Sequence, residues 1–176
     1  MISQDYLYTL QHEHRKHPWG YWGYELAPEV RAFCDLQGVK SVLDYGCGSN
    51  HGLRNWATKN SWAIDLREYD IAIPGYDSEP HPAELVMCID VIEHVEEQYV
   101  DDVLDHIHSR CSQWAWFTIS LKPAQRTLQR TGQNAHITLK ERGWWLPKLE
   151  DRWQMEMLDY NADWLKFRGR RQETAQ

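Results

Sequence analysis

The chain reads as an α/β protein with a doubly wound, mostly parallel sheet. Three observations lead there. Short apolar runs ("KSVLDYG", "SWAIDLREYD", "AELVMCID", "WAWFTISLK") alternate with stretches of helical spacing, the order that builds a parallel sheet through crossovers. "AELVMCID" has no polar alternation, as in a strand covered on both faces. "DYGCG", Asp44 to Gly48, leaves the first run through two glycines just before a helical stretch. That is the tight turn joining a parallel strand to its helix. At 176 residues the chain is expected to form one domain, 1–176.

The elements follow in order. Residues 1–24 are aromatic and rich in histidine, without a clear period. "APEVRAFCDLQG" places Val30, Phe33 and Leu36 at helical spacing, with Pro28 near the start and Gly38 as the stop. "KSVLDYG" is a short buried strand, "HGLRNWATKN" a helix and "SWAIDLREYD" a second strand. "IAIPGYDSEPHP" holds three prolines and a glycine and is loop. "AELVMCID" is the next strand. "VIEHVEEQYVDDVLDHIHSRC" repeats Ile92, Val95, Tyr99, Val103, Leu104 and Ile107 at helical spacing and is expected to be one amphipathic helix. "WAWFTISLK" is a further strand. Trp144, Trp145, Leu146, Leu149 and Trp153 stand at near-helical spacing, as in a helix packed on the sheet.

Composition narrows the function. A formal charge of −7 gives no support to general nucleic-acid binding. Lys122 to Arg142 and the tail "KFRGRR" are basic, however; solvated faces account for most such runs, and a phosphate-bearing substrate is the sharper alternative. Ten Trp and nine Tyr against three Phe suit an aromatic core or a lined pocket. Cys34, Cys47, Cys88 and Cys111 form no Cys-x-x-Cys pair, which argues against a zinc ribbon, a redox motif or a disulfide scaffold. No signal pattern opens the chain and no apolar run reaches membrane-spanning length, so the chain is expected to be cytoplasmic.

The turn points to a cofactor. Its glycines let a ligand approach the backbone beside the positive end of a helix. The third glycine of a dinucleotide fingerprint is out of place. The acid before the first glycine decides between ligands: a pyrophosphate repels a carboxylate, whereas the amino end of a zwitterion attracts one. Asp44 therefore suits an amino-bearing cofactor such as S-adenosylmethionine.

"VLDYGCG", an acid near the end of the second strand and then "LVMCIDVIEHV" together resemble the class I S-adenosylmethionine-dependent methyltransferases, in particular small bacterial and phage members. The resemblance runs from about Ser41 to Ser120. It implies a Rossmann-like sheet, and that Asp44, Gly46 and Gly48 contact the methionine part of the cofactor. Asn50 stands where a third glycine is usual. The resemblance also implies a ribose-binding acid after the second strand. Asp65 and Asp70 compete; Asp70, where strand gives way to loop, is favoured, with Ile71 against the adenine. Between Asp70 and Leu85 there is too little chain for the usual helix and third strand. A trimmed sheet edge is expected, with the loop closing over the adenosine end.

Asp90, Glu93 and His94 share one face if this stretch is helical, and "NAHITL" brings His136 from a loop after the next strand to the same carboxyl edge. Glu93, His94 and His136 are the candidates for a general base, with Asp90 beside them at the cofactor. The small-RNA 2′-O-methyltransferases use a similar carboxylate–carboxylate–histidine helix and a distant histidine to bind metal. Glu-His-Val also occurs in many class I methyltransferases where no metal follows, so a divalent metal is the lesser expectation and none is assigned. The resemblance implies that residues 1–24, with His12, His14, His17, Trp19, Tyr21 and Trp22, form a lid over the cofactor. The expected function is methyl transfer to oxygen or nitrogen of an acceptor, with a small molecule favoured because no separate recognition domain is present. An RNA 2′-O-methyltransferase, a noncatalytic cofactor-binding module and a cofactor-degrading enzyme are the alternatives.

Overall fold

The computed structural model describes residues 2–172. The chain runs α1 (Gln4–Lys16), α2 (Trp22–Gln37), β1 (Ser41–Tyr45), α3 (Gly52–Lys59), β2 (Asp65–Tyr69), β3 (Ala83–Ile89), two 3-10 turns (Ile92–His94 and Glu97–Tyr99), α4 (Val100–Arg110), β4 (Cys111–Ser120), α5 (Arg142–Glu150), β5 (Trp153–Tyr160) and β6 (Trp164–Arg171). Six strands form one open sheet in the order β2-β1-β3-β4-β6-β5. β2, β1, β3 and β4 are parallel, and β6 and β5 add antiparallel. The doubly wound architecture is as the sequence predicts.

Each face has its own apolar layer. Ala27, Val30 and Phe33 of α2 and Leu53 of α3 pack with Val42, Leu85, Trp114 and Trp116 on one face. On the other, Val103, Leu104 and Ile107 of α4 and Trp145 and Leu149 of α5 pack with Val86, Phe117, Trp153 and Phe167. Full burial of a side chain of this size contributes about 1.5–3 kcal/mol, so these two layers dominate the stability. Trp116, Trp145 and Trp153 are fully buried. All four cysteines are buried and unbridged.

The sheet edge is trimmed. β2 is the outermost strand, and residues 70–82 form turns with no further strand or helix. Instead of closing inward, this loop is braced from outside: Glu79 Oε1 meets His106 Nε2 of α4 at 2.9 Å, and His106 Nδ1 meets the Tyr45 hydroxyl at 2.8 Å. Of the loop beyond β2, only Asp70 and Ile71 reach the cavity described below.

The structure corrects four details. The helix expected over 91–111 begins only at Val100; Asp90 has a left-handed φ of 56° and Glu96 is extended, and both interrupt a helical path. α2 begins at Trp22 and carries Pro28 inside it, while Leu36 is 79% exposed rather than core. Trp153 lies on β5, not on a helix. "KFRGRR" is the outer end of β6, and its arginines cover aromatic rings: Arg168 lies 4.2 Å from the Phe33 ring centroid and Arg170 lies 4.7 Å from that of Trp114. Such contacts contribute about 0.5–2 kcal/mol each, and of this basic run only Lys166 reaches the cavity described below.

Candidate active site

A cavity of about 790 Å³ opens along the carboxyl ends of β1, β2, β3 and β4, where doubly wound folds place ligands. Its floor begins at the turn after β1. Gly46 and Gly48 adopt φ of 82° and 63°, a region that favours glycine. Gly46 and Cys47 both donate their N–H to the Tyr69 carbonyl, at 2.7 and 3.1 Å, tying the turn to the end of β2. The close approach anticipated at this turn is partly made by the chain itself. A Cβ on Gly48 would stand 2.4 Å from the Trp19 carbonyl oxygen, and one on Gly46 would stand 2.4 Å from Val91 Cγ2. Asn50 N–H also donates to Trp19 O, at 2.7 Å. The N-terminal segment therefore rests directly on the turn.

α1 holds that segment in place. Tyr6 and Leu10 pack with Ala72, Leu128 and Ala135, and Glu13 Oε1 accepts from the Gln129 N–H at 2.8 Å. His14 and Trp19 both line the cavity, with ring centroids 5.2 Å apart. Their buried Nδ1 and Nε1 atoms have no partner among the described residues. Burial holds the His14 pKa below its ordinary value, against the opposing charges of Asp70 and Glu13. Both residues were expected in the lid segment, and both face the cavity.

The two acids of the first motifs differ. Asp70 lines the cavity; its Oδ2 accepts from Gly48 N–H at 3.0 Å and its Oδ1 from Ala72 N–H at 2.9 Å. A carboxylate offers about four lone-pair positions, so each oxygen keeps one for a ligand hydroxyl. Asp65 lies at the opposite end of β2, exposed and paired with Arg67. Asp44 does not line the cavity. Its carboxylate lies beneath the turn, 3.7 Å from where a Cβ on Gly23 would stand. Burial, with the negative charges of Glu68 and Asp70, pushes its pKa up to about 7.

Also in the cavity wall, Asp90, His94 and His136 come together, with one donor atom from each lying within 4.8 Å of the others. Asp90 closes β3, His94 closes the first 3-10 turn and His136 arrives on the loop after β4. The rings of His94 and His136 stand edge to face at 4.9 Å, and Trp19 packs on His94 at 5.0 Å. His94 Nδ1 lies 2.8 Å from the Ala135 carbonyl and His136 Nδ1 lies 2.7 Å from that of Lys122. A carbonyl only accepts, so both Nδ1 atoms carry a proton, which leaves Nε2 as the acceptor of each ring in its neutral form. Burial holds the His94 pKa down at about 4, so its imidazole is neutral at pH 7.

Glu93 does not join them. The 3-10 turn directs it into the core, where it is fully buried, outside the cavity lining, with Oε1 accepting from Ser120 N–H at 2.6 Å. Burial, then the charge of Asp90, raises its pKa well above the carboxylate range. The expected role as a base facing the ligand is corrected on that ground: Glu93 is a buried brace between the turn and β4, with its carboxyl against that of Asp90.

The described residues fit an adenosyl ligand carrying an amino acid: a glycine turn, a carboxylate with free lone pairs, unpartnered donors and a largely apolar wall. No helix is long and apolar enough to cross a membrane among the described residues.

Comparison with known proteins agrees with this geometry. The family described as "Methyltransferase domain" matches residues 12–171. No curated protein sequence matches the chain. Among solved structures, the chain is similar to the Burkholderia thailandensis 1,6-didemethyltoxoflavin-N1-methyltransferase, with bound 1,6-didemethyltoxoflavin and S-adenosylhomocysteine (14% identity, TM-score 0.64, 98% of this chain and 92% of that one). It is also similar to the N-methyltransferase NodS from Bradyrhizobium japonicum WM9 with S-adenosylhomocysteine (15% identity, TM-score 0.57, 85% and 87%). A third is the magnesium protoporphyrin IX methyltransferase ChlM of Synechocystis PCC 6803 with S-adenosylhomocysteine (13% identity, TM-score 0.54, 85% and 83%). At these identities the structures establish a shared fold, and the match over most of the sequence establishes the family: the chain belongs to the class I S-adenosylmethionine-dependent methyltransferases.

Proposed function

We propose that this protein transfers the methyl group of S-adenosylmethionine to a small-molecule acceptor, at oxygen or nitrogen. The observation that carries the reading is a single cavity of about 790 Å³ lined together by the glycine turn, Asp70, Asp90, His94 and His136. A space of this size lies within the range of small-molecule sites, about 300–1,000 Å³. The solved neighbours named for small acceptors support the choice of substrate class.

The cofactor supplies a methyl group already activated on a sulfonium. The chain supplies position and a proton path. Gly46 and Gly48 bring backbone close to the methionine part. Asp70 accepts from the ribose hydroxyls, and Ile71 meets the adenine edge. Asp44, beneath the turn, acts by holding the turn rather than by touching the ligand. Trp19 and the rest of residues 1–24 exclude water as a lid. Asp90, at the junction of cofactor and acceptor, and His94 and His136 face the acceptor's nucleophile. The imidazoles assist its attack by accepting its proton or through an ion that they hold, and alignment within the closed cavity does the rest.

The test is transfer of labelled methyl from S-adenosylmethionine into a pool of small metabolites. A labelled product that depends on the pool supports the reading. Cofactor binding without any labelled product would make the chain a binding module, and cofactor breakdown without the pool would make it a degrading enzyme.

A further inference from the structure

We propose that Asp90, His94 and His136 form a divalent transition-metal site open to the cavity. The three donors lie within 4.8 Å of one another, and no hydrogen bond joins any two of them among the described residues. Metal bonds of about 2.0–2.2 Å require donors roughly 3–4 Å apart, so small side-chain rotations complete the set. Each imidazole is already prepared. Its Nδ1–H is bound by a backbone carbonyl, Ala135 for His94 and Lys122 for His136. That arrangement fixes the tautomer and aims Nε2, and it is the usual support of a ligating histidine. Asp90 holds a left-handed φ of 56° at the end of β3, with its N–H donating to Thr118 O at 3.0 Å. A strained, anchored residue of this kind turns its carboxylate out of the strand and into the cavity.

The donor set selects the ion. Two imidazoles and one carboxylate suit zinc, iron(II), cobalt or nickel rather than calcium or magnesium, which take oxygen ligands. Three protein donors also leave coordination positions open on the cavity side, as in catalytic rather than structural sites. Glu93 lies outside the cavity lining, with its Oε1 bound to Ser120 N–H and its carboxyl against that of Asp90, so it backs the set rather than facing the cavity. A second group, Cys47, His51 and Glu68, is equally close, but its donors already satisfy each other: His51 Nδ1 lies 3.0 Å from Glu68 Oε1, and Arg54 also binds Glu68.

An ion at Asp90 would favour an acceptor that reacts through oxygen. It would lower the pKa of a bound hydroxyl, whose proton passes to water. The oxygen lone pair then forms the new bond to the methyl carbon, and the carbon–sulfur bond breaks with its electron pair left on sulfur as a neutral thioether. This use of the site rests on the proposed methyl transfer; metal binding itself does not.

Cobalt(II) is the probe. Chelator-treated protein is titrated with cobalt(II) and followed by visible absorption, with S-adenosylhomocysteine binding measured on the same samples. One ion per chain is expected, with His94→Ala and His136→Ala each raising the dissociation constant more than about 100-fold, since even groups supporting a ligand are worth about 10–100-fold. His51→Ala should match the wild type. Both cavity variants should still bind S-adenosylhomocysteine, which shows that they are folded, and His136, on a surface loop, keeps the test available if His94→Ala misfolds. No cobalt(II) spectrum, a spectrum that survives both cavity variants, or one lost in His51→Ala overturns the site. Cobalt(II) bound at the site without any S-adenosylhomocysteine binding would keep the metal and remove the methyl-transfer reading.

Discussion

His94 meets His136 edge to face, ring centroids 4.9 Å apart, and each ring gives its Nδ1 proton to a backbone carbonyl. Two residues far apart in sequence thus meet in the cavity wall, each ring fixed by a backbone carbonyl. If they act on the acceptor, His94→Ala and His136→Ala should each lower labelled-methyl transfer by about 10²–10⁴-fold, the usual contribution of such a group, while S-adenosylhomocysteine affinity changes little. Loss of cofactor affinity in parallel with transfer would mean that the pair belongs to the cofactor end.

Asp65 opens β2, whereas Asp70 follows its last residue at the cavity. Asp70→Ala should weaken S-adenosylhomocysteine binding by about 1.5–3 kcal/mol, the range for hydrogen bonds to a charged group, and Asp65→Ala should leave it nearly unchanged. Because Asp70 also accepts from Gly48 and Ala72 N–H, the melting temperature is measured alongside, and calorimetry is compared well below it. A larger loss in Asp65→Ala would place the ribose elsewhere.

Asp44 makes stability depend on pH. Its pKa rises from the ordinary 3.8 to about 7 on folding, so the folded state binds a proton that the unfolded state releases. The stabilisation is complete below about 3.8 and is lost as pH rises through about 7, a change of roughly 4 kcal/mol at most. Asp44→Asn carries no such proton. Its stability relative to the wild type should therefore improve by roughly 2–4 kcal/mol between pH 4 and pH 8, read from urea melts at both values. A constant offset would show that Asp44 is ionised in the fold.

The lid is coupled to the turn through Trp19 and Gly48. Gly48→Ala places a methyl 2.4 Å from the Trp19 carbonyl at a φ of 63°, so the segment after α1 must lift. Trypsin should cut after the exposed Lys16 several-fold faster than in the wild type, and S-adenosylhomocysteine should protect the wild type more than the variant. Equal cutting rates would show that the segment is not seated on the turn.

Much of this was legible because β1, β3 and β4 carry apolar runs, and parallel strands buried on both faces look like that. The carboxyl edge followed from topology, which is why His136 could be expected beside His94. Two things were hidden. Leu165, Phe167 and Gly169 of β6 are buried between charged neighbours; that period of two near the edge of a sheet resembles a basic tail. Glu93 was misplaced because the spacing of Asp90, Glu93 and His94 fits an α-helix, whereas one 3-10 turn with three residues per revolution sends Glu93 inward and leaves His94 at the cavity. Beyond those two, the role of Gly48 was read as room for a ligand, and the neighbour that needs the room is Trp19, whose position no local pattern encodes.

The most direct measurement of the central claim is calorimetric titration of S-adenosylhomocysteine into the wild type and Gly46→Val. The valine would be driven into Val91 at the floor of the cavity, so circular dichroism and thermal melting must first show that the variant is folded. One site per chain is expected in the wild type, with at least a 100-fold loss in the variant, about 2.7 kcal/mol or more. No binding to the wild type, or equal affinity in a folded Gly46→Val, would contradict it.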